Sequence, residues 1–151
     1  MARFTATVPV AAPVQPVWDL ITDWPAHSRW IPLTTVRVLT ASGSGVGARF
    51  VGRTALGPIG FDDPMEITVW APPAGGLPGR CEVVKQGRVV LGGASFEVRA
   101  DPASGGSLVL WTEDVQIPPV WLTRLAGPLI AAAGRAGFVR SLRTMARELE
   151  S

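Results

Sequence analysis

Residues 18–32 read WDLITDWPAHSRWIP. These fifteen positions hold three of the chain's six tryptophans and its only histidine, with Trp18, Trp24 and Trp30 six apart. Just upstream, Pro16 suits a first helical turn, and Val17, Trp18, Leu20 and Ile21 follow at helical spacing. The helix is short, because Pro25 pushes the residue before it out of the α region. Trp18 and Ile21 share a face, which makes Trp18 a core anchor, while Trp24 closes the helix-to-loop transition. Before this helix, RFTATVPV (3–10) alternates with period two and places Phe4, Ala6 and Val8 on one strand face.

From about 35 to 117 the pattern is β throughout. TVRVLT (35–40) is followed by ARFVGRTALG (48–57), where Arg49 and Arg53 mark the wet side and turn Phe50 inward. PMEITVWAPP (64–73) alternates Met65, Ile67 and Val69 against Glu66, Thr68 and Trp70. RCEVVKQGRVV (80–90) and GASFEVRAD (93–101) come next, the latter setting Ala94, Phe96 and Val98 opposite Ser95, Glu97 and Arg99. SLVLWTEDVQI (107–117) is the last strand. The connectors ASGSGVG, APPAGGLPG and DPASGG carry turn residues, so the strands form an antiparallel sheet rather than βαβ units. Beyond Pro118 and Pro119 the period becomes 3.6, with Phe138, Leu142, Met145 and Leu149 on one stripe. Pro128 is expected to break this element into a segment near 120–126 and a long helix near 128–149. The apolar stripe has to be buried, and the concave face of a curved sheet is the surface long enough to bury it. That arrangement leaves room for a cavity.

The 151 residues are 47% hydrophobic and 17% charged, which fits one domain with a real core and excludes a disordered chain. The longest uncharged apolar stretch, LAGPLIAAAG (125–134), is ten residues and holds Pro128. A spanning helix needs roughly 20, so an integral membrane protein is not expected. The start, MARFTATVPVAAP, has too short an apolar run before its prolines for a secretory leader. Lone Cys81 excludes an internal disulfide and a cysteine-cluster metal site, and one histidine excludes a two-histidine site. GSGVG (43–47) lacks the Lys-Ser/Thr ending of a phosphate loop and reads as a hairpin loop. A net charge of +2 with no run of five basic residues argues against nucleic-acid binding. Thirteen arginines against one lysine read as the codon usage of a GC-rich genome. The expectation is a cytoplasmic protein, monomer or homodimer, with neither metal nor cofactor.

The segment PVQPVWDLITDWPAHSRWIP, with DDPMEITVWAPP (62–73), GRVVLGGASFEV (87–98) and LVLWTEDV (108–115), resembles the SRPBCC superfamily. It is most similar to its START-like, polyketide cyclase/dehydrase and lipid transport branch. The resemblance spans essentially the whole chain and implies an α+β helix-grip fold. In that fold a seven-stranded antiparallel sheet wraps a long C-terminal helix, with two short helices after the first strand. It also implies a hydrophobic small-molecule ligand, and in some members aromatic ring closure or dehydration. Fold follows from it more firmly than function.

The resemblance places Trp30 at the end of the second short helix, near the open end of the cavity, where an indole offers a flat wall with one N–H donor. The strands are expected to contribute Phe50, Met65, Ile67, Phe96, Val98 and Trp111 to the lining, and the C-terminal region Trp121, Leu125, Leu129 and Ala133. Trp121 would lid the mouth opposite Trp30, and the small residues of IAAAGRAG (130–137) would leave volume beneath the helix. Glu113 shares a face with Val109, Trp111 and Val115; in the cavity it would need a partner such as an arginine, though the opposite face, Leu108, Leu110 and Thr112, is also apolar. His27 and Asp62-Asp63 read as solvated, and Cys81 as a structural thiol with no histidine base. No catalytic constellation emerges. The leading reading is a module that holds a hydrophobic small molecule. The alternative is a cyclase/dehydratase-type enzyme, which requires two convergent polar groups deep in the cavity.

Overall fold

A computed structural model describes residues 2–150. In chain order these form β1 (Ala2–Val10), α1 (Val14–Ile21), a 3₁₀ turn (Trp24–Arg29), β2 (Thr34–Val38), β3 (Arg49–Leu56), β4 (Ile59–Ala71), β5 (Gly79–Lys85), β6 (Leu91–Ala100), β7 (Ser107–Gln116) and α2 (Val120–Glu150). All neighbouring strands pair antiparallel in the order β1-β7-β6-β5-β4-β3-β2. The one strand pair distant in sequence, β1 with β7, sets the first strand beside the last, and α2 runs back along β1 so that Glu150 meets Ala11 N at 2.9 Å beyond the far end of that strand. This is the helix-grip arrangement.

The period-two pattern of the outer strands decides which face is wet. β1 alternates buried and exposed from Ala2 to Val10, and β7 buries Val109, Trp111, Glu113 and Val115 on the same concave side. α1 turns Val17, Trp18 and Ile21 inward, and Thr22 Oγ1 donates to Trp18 O at 2.7 Å where the helix ends. From α2, Leu142 and Met145 are fully buried; removing each from water stabilises the fold by about 1.5–3 kcal/mol.

Three local expectations are corrected. α2 runs unbroken through Pro128. The proline removes one backbone donor, but the carbonyl it would have served belongs to exposed Arg124, and Gly127 before it has no Cβ to clash with the proline ring. β4 begins five residues before Pro64, so Asp62 and Asp63 lie inside a strand. The strand tolerates Pro64 because its carbonyl, and hence its nitrogen, faces β5 where that strand ends; the carbonyl accepts from Gln86 N–H at 2.8 Å. Finally, the β4–β5 register shifts between Ile67 and Val69. This bulge reverses the alternation: Trp70 pairs with Cys81 and packs on Trp18 with ring centres 5.2 Å apart, on the side the sequence pattern assigned to Val69.

A candidate binding cavity under the curved sheet

Between the concave sheet and the helices lies a cavity of about 140 Å³. Phe50, Met65, Cys81, Val83, Phe96 and Trp111 line it from the strands. Trp24, His27 and Ile31 close it from the 3₁₀ turn and the residues just after it, and Phe138 from α2. The rings brace one another. Trp24 stacks on Phe50 at 4.2 Å, Phe96 on Trp111 at 5.3 Å, and Trp111 on Phe138 at 5.2 Å. Trp24 is fixed at its far end, where the indole N–H donates to Gly43 O at 2.7 Å. A glycine is required there, since a Cβ on residue 43 would lie 2.8 Å from that indole.

One end of the cavity is polar. Lys85 Nζ sits 2.7 Å from Asp63 Oδ2 and 3.8 Å from Glu113 Oε2, and the Trp111 indole N–H donates to Glu113 Oε1 at 3.0 Å. The three charged groups come from β4, β5 and β7. Ala94 on β6 pairs with Val83 on one side and Glu113 on the other, and its single methyl leaves the space through which Lys85 reaches across. Both Lys85 and Glu113 are buried, with side chains 5% and 8% exposed. Burial raises the Glu113 carboxyl above its ordinary range, against the opposing pull of the Lys85 ammonium and the Trp111 N–H. For Lys85 burial works against the charge, but Glu113 and Asp63 outweigh it and hold the ammonium above its usual value. Lys85 is thus a fixed cation. Asp63 Oδ1 is buried without a hydrogen-bond partner, an acceptor left free at the polar end.

His27 is buried, contrary to the solvated reading. Its Nε2 lies 2.8 Å from Ile21 O, so the ring donates there and presents Nδ1 as a lone pair. Burial lowers its pKa to about 4, which keeps it neutral near pH 7. Its ring is 4.4 Å from Trp30 and 6.2 Å from Trp111. Cys81 is buried too, its thiol pushed up to about 12 by desolvation and then by Glu82, which makes it unreactive.

Of the residues singled out by sequence, the structure brings Phe50, Met65, Phe96, Trp111 and Glu113 together on the cavity wall. Ile67 and Val98 are fully buried in the core and do not line it. Trp30 stands behind His27 and edge-on to Trp111, lining an outer groove instead. Trp121, Leu125 and Leu129 are 65%, 78% and 75% exposed, and Ala133 is exposed with them. The reason lies in the inward stripe of α2, which in its first half runs through Thr123, Gly127 and Gly134. The face that looked apolar in sequence is the outer one. Thr123 faces inward because its hydroxyl donates to Ile117 O at 2.6 Å and accepts from Ile117 N at 2.9 Å. The partner of Glu113 is a lysine, not an arginine. Sequence reasoning passed over Trp24, His27, Ile31, Asp63, Lys85 and Phe138. For Lys85 a signal existed, since it is the only lysine in the chain.

No helix among the described residues is long and apolar enough to cross a membrane. Several solved structures share the fold. A Thermus thermophilus protein superposes with a TM-score of 0.72 at 14% identity, covering 97% of this chain and 96% of its own. The Zhui aromatase/cyclase from a Streptomyces species gives 0.66 at 18% identity, with 98% and 93% covered. The di-domain aromatase/cyclase StfQ of the steffimycin biosynthetic pathway gives 0.69 at 13% identity, covering 99% of this chain and 50% of that one. At these identities the likeness is one of fold. No curated protein sequence matches the chain. A family model does, over residues 1–150, and with the gripped helix and the cavity beside it this makes the chain a member of the polyketide cyclase/dehydrase and lipid transport family.

Proposed function

We propose that the chain binds a small apolar molecule, largely aromatic or unsaturated, that carries an oxygen-bearing group at its leading end. The observation behind this reading is the pairing of an aromatic-walled cavity with a buried carboxylate–ammonium–carboxylate group at one end. The stacked rings offer flat walls, and Lys85 and Asp63 Oδ1 offer a donor and an acceptor that a hydroxyl satisfies together. A dry cavity of about 150 Å³ takes up one benzene ring, so p-cresol against toluene is the matched test. Titration calorimetry is expected to show p-cresol bound more tightly, with Lys85→Met and Trp111→Ala each weakening it about tenfold. Equal binding of p-cresol and toluene overturns the reading.

A second reading is favoured by the raised carboxyl of Glu113 beside a fixed cation. Two convergent polar groups at the cavity end meet the requirement for the cyclase/dehydratase alternative. Dehydrating a β-hydroxyketone moves a proton from the carbon beside the carbonyl to a base and delivers one to the departing hydroxyl, releasing water. Lys85 would steady the enolate oxygen, Asp63 Oδ1 would take the proton, and protonated Glu113 would supply the other. Enone formation from a small β-hydroxyketone, followed by ultraviolet absorbance, is expected to fall at least a hundredfold in Glu113→Gln. An unchanged rate removes Glu113 from that role.

A further inference from the structure

A cavity of about 140 Å³ holds about one ring, yet its wall is not sealed evenly. Ile31 and Phe138 line the cavity on one face and, on the other, an outer groove of about 590 Å³ between the 3₁₀ turn and the middle of α2. Two side chains therefore separate the interior from a larger hollow. Phe138 is only half-buried, and nothing lies within 4 Å of where a Cβ on Gly137 would stand. Volume is open just where the partition is thinnest.

The groove has its own chemistry. Trp30 is 3% exposed, and its indole Nε1 is buried without an acceptor. An unmade hydrogen bond of this kind costs about 1–3 kcal/mol, which an oxygen reaching the indole by a small turn of Trp30 would remove. Arg140, Ser141 and Thr144 complete the polar rim, and no acidic residue lines the groove. Arg140 has no ion-pair partner among the described residues, whereas Arg29 nearby is held by Glu148 at 2.8 Å. A permanent cation, an unpartnered N–H and hydroxyls, with no acid, select an anion.

We propose that this groove is the second half of the binding site and receives the carboxylate end of an elongated amphipathic ligand. The ligand's apolar body passes between Ile31 and Phe138, and its ring lies in the inner cavity. This rests on the cavity reading and specifies its ligand class: a linear acid longer than one ring, not a compact neutral molecule. Trp30 then touches ligand, though from the groove and not from the cavity.

The test uses 6-phenylhexanoate, its neutral amide 6-phenylhexanamide, and p-cresol as an inner-cavity reference, each titrated calorimetrically into the full chain. The wild-type protein is expected to prefer the carboxylate over the amide about tenfold. Arg140→Gln, a change on an exposed side chain, brings that ratio close to one. Gly137→Leu fills the groove at a helical position that gains propensity from the change; it weakens 6-phenylhexanoate at least tenfold while leaving p-cresol within about twofold. Equal binding of acid and amide by the wild type, with p-cresol still bound, overturns the groove and spares the cavity reading. So does unchanged 6-phenylhexanoate binding in Gly137→Leu. Failure of all three probes to bind overturns both.

Discussion

Lys85 shows why residue identity matters at the polar end. An ammonium is compact and turns its donors freely, so it serves Asp63 and Glu113 at once beside Met65; a planar guanidinium needs more room. Lys85→Met leaves two buried carboxyls facing each other without a counter-charge. Stability at pH 7 is expected to fall by about 3 kcal/mol, with less loss as the pH is lowered and the raised Glu113 carboxyl takes up a proton, read from urea unfolding across an acid pH series. His27 acts in the opposite sense. Its pKa is about 4 in the folded chain against 6.5 ordinarily, so the unfolded state binds more protons between those values and stability falls as pH drops through that window. The full contribution, present above 6.5, is about 3 kcal/mol. Glu113 pulls the other way, its raised carboxyl favouring the folded state as pH falls, so the measurement is the difference in slope between wild type and His27→Leu from pH 7 to 4. Parallel slopes would show that His27 is not buried in solution. Neither role was legible locally. His27 is flanked by Ala26, Ser28 and Arg29 as a solvated residue would be, and it is buried only when Trp111 of β7 closes over the indoles of Trp24 and Trp30 from its own turn.

At the scale of elements, the periodic pattern predicted every strand, the first helix and the C-terminal helix. It failed where a single residue changes phase or where tertiary contact overrides hydrophobicity. The bulge after Ile67 hides in an unremarkable alternation and exchanges Trp70 for Val69. On the first half of α2, large apolar residues face out and small ones face in, because the helix must come close to β1 there. A Cβ on Gly134 would lie 2.5 Å from Phe4 Cε1, and Phe4 is itself packed on Phe138 at 5.6 Å. Gly134→Ala is therefore expected to destabilise by about 1–3 kcal/mol despite its better helix propensity, measured by thermal or urea unfolding. Leu125→Gln and Leu129→Gln should change stability by less than about 0.5 kcal/mol, while Leu142→Ala should cost about 2–5 kcal/mol. A large loss in the first two would mean that the outer face of α2 is covered in solution.

For the molecule as a whole, the resemblance and the strand count together gave the fold, because seven alternating strands and one long stripe admit few arrangements. The site was legible in its apolar half and, at the polar end, in Glu113 alone. Phe50, Met65, Phe96 and Trp111 face inward by simple alternation, but Asp63 and Lys85 meet Glu113 only once β4, β5 and β7 are curved around Ala94. The Arg29–Glu148 pair, made twice at 2.8 and 3.1 Å, closes the frame by tying the 3₁₀ turn to the end of α2. Trp24 and Trp111 wall the cavity, Trp18 and Trp30 are buried, Trp70 is half-buried, and Trp121 stands in solvent. The emission spectrum thus separates by colour: Trp121 supplies the red, acrylamide-quenched part, and the interior indoles the blue part that an occupant perturbs. In Trp121→Phe the remaining light comes from the four buried indoles and half-buried Trp70, so the protein reports its own filling without a label.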